Sequence, residues 1–268
     1  MTKYIVRRLL TAIPTILVIS MVIFGVLELS PSDPVGQLPL TIPPEVREQI
    51  RESLGVNDPF LVKYAKWLRQ FVINEPLNLL QETTGLCVGD CENRLRILSW
   101  QTRSPVIDII IQRMPQTLWV VGTAYVWAIL IAIPVGVISA YKQYSIFDQV
   151  GTLFAMIGFS IPTFFTGLMF IIIFSVNLGW FPSIYSTTHV VTDFESFLFQ
   201  LRQMFMPVAV LTLFYTAQIS RFTRSAMLDN LNQDYIRTAR SKGLSERKTI
   251  IGHALRNSMI PVITLIAL

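Results

Sequence analysis

The sequence predicts an all-α polytopic membrane protein, and three observations carry that prediction. Hydrophobic residues make up 52% of the 268 and charged residues only 15%, where an average soluble domain carries about a quarter charged. The charges are unevenly placed, with long uncharged stretches separated by charge-rich segments. The uncharged stretches also have the right length, because about 20 residues of helix cross a hydrocarbon core roughly 30 Å thick. The net charge of +5 lies beside these stretches, where basic residues have a topological role. No nucleic-acid recognition motif accompanies it, so nucleic acid is not an expected partner.

Taken in order, the first span is Leu9 to Leu27, behind Lys3, Arg7 and Arg8. A secretory signal has an apolar region of about 7–15 residues and a small-residue cleavage site. This run is longer, and Glu28-Leu29-Ser30-Pro31 is a poor cleavage site, so the span is expected to be retained. Residues 30–115 carry nine basic and ten acidic side chains and read as a small folded helical insertion. Pro44, Glu45 and Glu48 suit a first helical turn, Ile50 and Leu54 give it an apolar face, and Gly55 suits its end. Asp58-Pro59 then opens a second helix through Val72, with Leu61, Tyr64, Ala65 and Leu68 at helical spacing. Cys87 and Cys91, the two cysteines of the chain, both fall in this insertion. Either they form a disulfide, as an oxidising compartment favours, or they are two free thiols in a loop too tight to close. No four-ligand metal set surrounds them.

A second span lies between Arg113 and Lys142, and a third runs from about Val150 to Val176. A fourth is bounded by Arg202 and Arg221, with Pro207 expected in its first turn. A fifth starts at about Asn257, and the stretch to Leu268 reaches only about 18 Å. The sequence therefore reads as a fragment ending inside its fifth span. The expected organisation is a tail and first span over 1–29, an extracytoplasmic insertion over 30–115, and a core over 116–268.

Loop charges orient these spans. Three cations and no acids keep the N-terminus in the cytoplasm; alternation then puts 30–115 and 177–203 outside, and 141–149 and 221–256 inside. The last loop carries Arg221, Arg224, Arg237, Arg240, Lys242, Arg247, Lys248 and Arg256. Burying eight such charges at a bilayer centre would cost on the order of 20 kcal/mol, so this loop is no span. Within it, Asp234 can cap a short helix that ends at Gly243, and Ser245 can cap a second with Glu246 in its first turn. Ile250, Ile251, Ala254 and Leu255 would rest that second helix on the spans. The expected product is a helix–glycine–helix elbow in which Ala239 and Gly243 permit close backbone approach and Tyr235 offers a bulky knob.

The run Asp234-Tyr235-Ile236-Arg237-Thr238-Ala239-Arg240-Ser241-Lys242-Gly243-Leu244, followed by His253-Ala254-Leu255-Arg256-Asn257 and Ile260-Pro261, resembles the Glu-Ala-Ala loop of ABC importer permeases. The resemblance is to their dipeptide/oligopeptide/nickel group. Arg7-Arg8-Leu9-Leu10 with Ile13-Pro14, Pro31-Ser32-Asp33-Pro34, Arg113-Met114-Pro115-Gln116-Thr117-Leu118 and Ser160-Ile161-Pro162-Thr163-Phe164 extend it over essentially the whole chain. Arg237-Thr238-Ala239 stands where the general motif has Glu-Ala-Ala, Ser32 replaces a common Gly, and the stretch from Cys87 to Ser99 looks peculiar to this chain.

What the resemblance implies is a type I ABC importer permease fold in a bacterial or archaeal plasma membrane. Its implied partners are a second, similar permease, two cytoplasmic ATPase subunits that hold Mg-ATP, and an external solute-binding protein. Asp234, Tyr235, Arg237, Thr238, Ala239, Arg240, Lys242 and Gly243 would form the helix seated on an ATPase subunit. The implied cargo is short peptides, with nickel, opines or oligosaccharides as variants on the same fold.

Between the ends of the second, third and fourth spans no side chain is ionisable at neutral pH, which argues against an ion-coupled secondary transporter. Ser160, Thr163 and Thr166 gather hydroxyls around Pro162, a helix-kinking residue, and either face a transport pathway or serve as helix-packing contacts. No phosphate-binding loop and no catalytic constellation around His189 or His253 is present, so neither a cofactor nor enzymatic activity of the chain itself is expected.

Overall fold

In the computed structural model, residues 2–29, 43, 45, 58–89, 94, 96–99, 102 and 104–267 are described. Among them the regular structure is helix, with one isolated antiparallel bridge between Leu98 and Pro105. The chain divides into two units, Met1–Ile111 and Gln112–Leu268. Four described helices are long and apolar enough to cross a membrane, and a bent helix pair makes a fifth candidate.

In the first unit, α1 (Thr2–Glu28) is a single helix that carries Pro14 in its interior. Its side chains are exposed nearly throughout, as an apolar helix surrounded by lipid would be. The insertion forms α2 (Phe60–Arg69), a π-helical turn (Gln70–Asn74) and α3 (Glu75–Thr84) in unbroken succession. The helix opened by Asp58-Pro59 thus runs twelve residues beyond Val72, to a left-handed Gly85 (φ 72°) that lets the chain turn away. Glu75, buried, accepts a hydrogen bond from the Ile97 backbone N–H at 2.5 Å, holding the returning chain against α3. The helix expected around Ile50 and Leu54, and Cys91, lie outside the described residues; Cys87 is exposed.

The second unit is organised on α4 (Val106–Tyr141) and α7 (Phe194–Leu231). Along α4 the buried residues Ala124, Ala128, Ala132, Gly136 and Ala140 recur every fourth position. Such a stripe of small residues lets helix backbones approach closely inside a bilayer, where apolar burial alone gives no driving force. A Cβ built on Gly136 would lie 2.7 Å from the Ser220 carbonyl oxygen and from Thr223 Cβ, so contact here requires glycine. Ala128 and Ala132 share a buried cluster with Ile219 and Ala226 of α7 and with Val262 of α10 (Arg256–Ala267).

The third candidate span is not one straight helix. It is α5 (Ile146–Ser160) and α6 (Thr163–Phe170) with a π-helical turn (Ile171–Asn177), and the two halves are bent by 98° at Ile161-Pro162. The cause is local. Pro162 has no N–H to donate and forces Ile161 into extended backbone (ψ 124°), so the kink expected at this proline is a right-angled break. The fourth span also differs from expectation. Its helix begins at Phe194, where Asp193 and Ser196 form a reciprocal capping box, and Pro207 therefore lies in the helix interior rather than its first turn. The last helix starts earlier than Asn257. Helix runs without interruption from Glu246, and its 22 residues reach about 33 Å.

Candidate functional site: an elbow seated on the spans

After α7, residues Asn232 and Gln233 make a turn and α8 (Asp234–Ser241) begins. Its N-cap is Gln233 rather than Asp234, which occupies the first helical position, where its charge favours the positive end of the helix dipole. Gly243 ends the elbow at φ 75°. The Leu244 N–H reaches the Ala239 carbonyl at 3.3 Å and the Gly243 N–H reaches Arg240 at 2.9 Å. This is the glycine-terminated cap that the sequence indicates. Beyond it come Ser245, the short α9 (Glu246–Lys248), a π-helical segment (Thr249–Leu255) and α10. Ser245 stands at the N-cap position without a side-chain cap bond. Instead Arg240 spans the elbow to Glu246 through two contacts of 3.0 and 3.4 Å.

The two faces of α8 differ sharply. Ile236 is fully buried and Ala239 is 5% exposed, whereas Asp234, Tyr235, Arg237, Thr238, Arg240 and Lys242 are exposed. Ile236 packs in one cluster with Ala140 of α4, Met227 of α7, and Ile250 and Ala254 of the π-helical segment. The small Ala239 therefore serves close packing on the chain's own helices and is not part of the exposed face. Leu255 lies beside the same cluster, but Ile251 is half exposed, because the wider π turn rotates it out of line with Ile250 and Ala254. Tyr235 is anchored through its hydroxyl, which donates to Asn230 Oδ1 at 2.5 Å. Gly243 has open space around it, with no atom within 4 Å of a built Cβ.

A second device ties the same end of the bundle together. Asp148, in the first turn of α5, is buried and receives Arg224 of α7 in a two-pronged ion pair, at 2.6 Å from Nε and 2.8 Å from Nη2. The Tyr144 N–H donates to the same carboxylate at 2.9 Å, which holds Tyr144 in a left-handed conformation (φ 65°) costly for a non-glycine residue. Beside the pair, Arg224 lines a cleft of about 310 Å³ with Val135, Ser139, Thr152, Met156 and Arg221. The clamp joins α5 to α7 about one helical turn from Met227, which touches the elbow directly. Sequence reading did not find it, because its members are 76 residues apart and each looks like an ordinary loop charge.

Towards the other end of α7, glutamines do the joining. Gln200 and Gln203 are almost fully buried, and Gln203 donates to Gln200 at 2.6 Å while accepting from the Ser186 N–H at 2.9 Å. Gln200 in turn donates to Gln116 of α4 at 3.0 Å, and Gln116 donates to the His189 carbonyl at 2.8 Å. Tyr185 closes the network by donating to Gln116. These bonds fasten the segment 178–193 to α4 and α7.

Of the hydroxyls around the break, Ser160 and Thr163 line one groove of about 440 Å³ with Phe159, Pro162, Phe214 and Tyr215. Thr166 lies outside that lining and turns its hydroxyl back to the Pro162 carbonyl at 3.5 Å. Among the described residues no cluster of His, Cys, Asp or Glu is arranged to hold a metal ion.

Residues 132–268 match the family described as binding-protein-dependent transport system inner membrane component, and residues 1–121 match its N-terminal companion. The chain belongs to this family. These inner-membrane components are multi-pass permease subunits of ABC importers with the type I fold. Several curated permeases are similar over the full chain. The oligopeptide transport system permease protein AppB of Bacillus subtilis (strain 168) is 38% identical, covering 100% of this chain and 78% of that protein. A putative peptide transport system permease protein of Brucella suis biovar 1 (strain 1330) is 36% identical over 98% of this chain and 77% of its own length. The glutathione transport system permease protein GsiC of Salmonella choleraesuis (strain SC-B67) is 32% identical over 100% of this chain and 78% of that protein. The family of permeases thus accounts for both units, and the elbow, the ion-pair clamp and the broken helix are parts of a transport subunit.

Proposed function

We propose that this permease forms half of a membrane pathway for short peptides and that α8 is the element through which separate ATPase subunits move it. Three relatives named for oligopeptide, peptide or glutathione transport support the cargo class. The observation that carries the mechanism is the division of α8 into a seated and a free face. Ile236 and Ala239 fix the helix on α4, α7 and the π-helical segment, while Tyr235, Arg237, Thr238, Arg240, Lys242 and Gly243 remain available to a partner.

Force on the free face would be delivered to the spans through the buried seat of Ile236. Ile236 touches two long helices at once, and the Asp148–Arg224 pair passes movement of α7 to α5. ATP binding and hydrolysis belong to the partner ATPases in this reading, with the N-terminus and the elbow both on the cytoplasmic side. A second permease would supply the other half of the pathway, and an external solute-binding protein would deliver the peptide. Ser160 and Thr163 would line the path beside Phe214 and Tyr215, and Cys87 and Cys91 would be bridged on the outer side.

The test is peptide uptake by proteoliposomes holding the complete importer. Gly243→Asn keeps the left-handed backbone, which asparagine tolerates, and fills only open space in the permease. Gly243→Asn and Tyr235→Ala are each expected to cut ATP-dependent uptake at least tenfold and to weaken recovery of the ATPase subunits, with the permease still folded. Unchanged uptake in both variants would remove the assigned role from α8.

A further inference from the structure

The helix formed by α2 and the π turn after it rests on α1 around one residue, Phe24. Phe60 and Trp67 are seven residues apart in α2, yet both rings contact Phe24, at 5.8 and 5.7 Å between centroids. Conversely, the neighbours Lys63 and Tyr64 reach residues far apart on α1. Lys63 pairs with Glu28, while the Tyr64 hydroxyl meets Ser20 at 2.8 Å and the Leu17 carbonyl at 3.1 Å. The contacts of α2 on α1 therefore centre on Phe24, with Lys63 reaching towards one end of α1 and Tyr64 towards the other.

The depth of this contact follows from α1. Phe24 lies four residues before Glu28, the first charged group at that end of the span, or about 6 Å along the helix axis. That level is the boundary between headgroups and acyl chains if α1 spans the bilayer up to Glu28. Its rotation about its own axis is fixed as well. The side bearing Lys63 faces the charged end of α1, and the side bearing Tyr64 faces the middle of the span. At helical spacing on the Tyr64 side stand Leu61, Ala65, Leu68 and Val72, all apolar; on the Lys63 side stand Lys66 and Gln70. Leu61 and Val72 are 64% and 58% exposed, with no protein over them among the described residues. Tyr64 and Trp67 at this level match the enrichment of amphipathic aromatic rings at membrane interfaces.

We infer that the helix Phe60–Asn74 is an interfacial element that rests its Leu61–Ala65–Val72 face on the acyl chains of the leaflet at the Glu28 end of α1. The apolar face continues the lipid-facing surface of α1, and Lys66, ion-paired with Asp58 at 2.5 Å, stands on the opposite flank. Arg69 projects from the apolar flank and reaches the headgroups along its own stem.

The test is depth measurement by nitroxide power saturation on the complete importer in lipid nanodiscs, after replacing Cys87 and Cys91 with serine. Single cysteines at Leu61, Ala65 and Val72 are expected to be relaxed by oxygen and protected from a water-soluble nickel chelate, at depths of about 5–10 Å. Lys66→Cys should show the opposite preference, and Val18→Cys in α1 should be deeper than all of them. Nickel access at Leu61, Ala65 and Val72 would place the helix in water and overturn the inference. Protection of those three positions from both reagents would mean protein covers the face, and would overturn it equally. Nickel access at Val18 would remove the span on which the depth is reckoned.

Discussion

The Asp148–Arg224 clamp makes an asymmetric prediction. The Asp148 side chain is 3% exposed and that of Arg224 is 26% exposed, so the two partners differ in how well water can replace a lost contact. Arg224→Met keeps most of the aliphatic stem but strands a buried carboxylate that retains only the Tyr144 N–H and a long contact to Thr152. Breaking a buried pair from one side costs about 3–5 kcal/mol, and the hydrogen bonds that remain place this variant near 3 kcal/mol. Asp148→Asn leaves a guanidinium that can turn into the adjoining cleft and rehydrate, for a cost of about 1–2 kcal/mol. In the double variant no charge is stranded, so it should be little worse than Arg224→Met alone, giving a coupling energy of about 1–2 kcal/mol. Unfolding of the permease in mixed micelles, followed by tryptophan fluorescence, reads all three values. Additive single effects within about 0.5 kcal/mol, or a larger loss for Asp148→Asn than for Arg224→Met, would refute the reasoning.

Gly136→Ala places a methyl 2.7 Å from the Ser220 carbonyl and should cost about 1–3 kcal/mol, whereas Gly122→Ala meets nothing within 4 Å and should be neutral or slightly stabilising, both measured by the same unfolding assay. Ile236→Ala empties the socket among Ala140, Met227, Ile250 and Ala254; about 2–4 kcal/mol of local stability should be lost, read as faster proteolysis at the Arg237–Lys242 stretch and weaker ATPase recovery. Gln203→Leu removes the acceptor for the Ser186 N–H and the donor to Gln200, at about 1–3 kcal/mol, and should speed hydrogen exchange across 178–193 while leaving the elbow unchanged.

The spans and the elbow were legible in the sequence for one reason: charge is excluded from hydrocarbon, so uncharged runs and the basic loop between them mark the membrane boundaries. Gly243 was legible too, since a left-handed helix end asks for glycine. The bend at Pro162 could be located but not sized, because a missing N–H says where a helix weakens and the packing of α5 on α7 decides how far it turns. Another signal was present but unread. Alanine or glycine at every fourth position from Ala124 to Ala140 marks the face of α4 that meets α7, and hydropathy, which scores composition, does not register such spacing.

What no local pattern could give is the pairing of distant polar groups. Asp148 and Arg224 each look like topology-setting loop charges, and Gln116, Gln200 and Gln203 look like helix ends reaching water. Their burial follows from the bundle itself. Once α4 and α7 are brought within backbone contact at Gly136, the polar groups where α5 joins α7 must find partners in protein instead of solvent. The same close approach sets Ala140 and Met227 side by side as the socket for Ile236. The stripe of small residues on α4 therefore specifies both the ion-pair clamp and the seat of α8. A residue that widens that contact should loosen the two together, even though Gly136 touches neither Asp148 nor Ile236 among the contacts that define them.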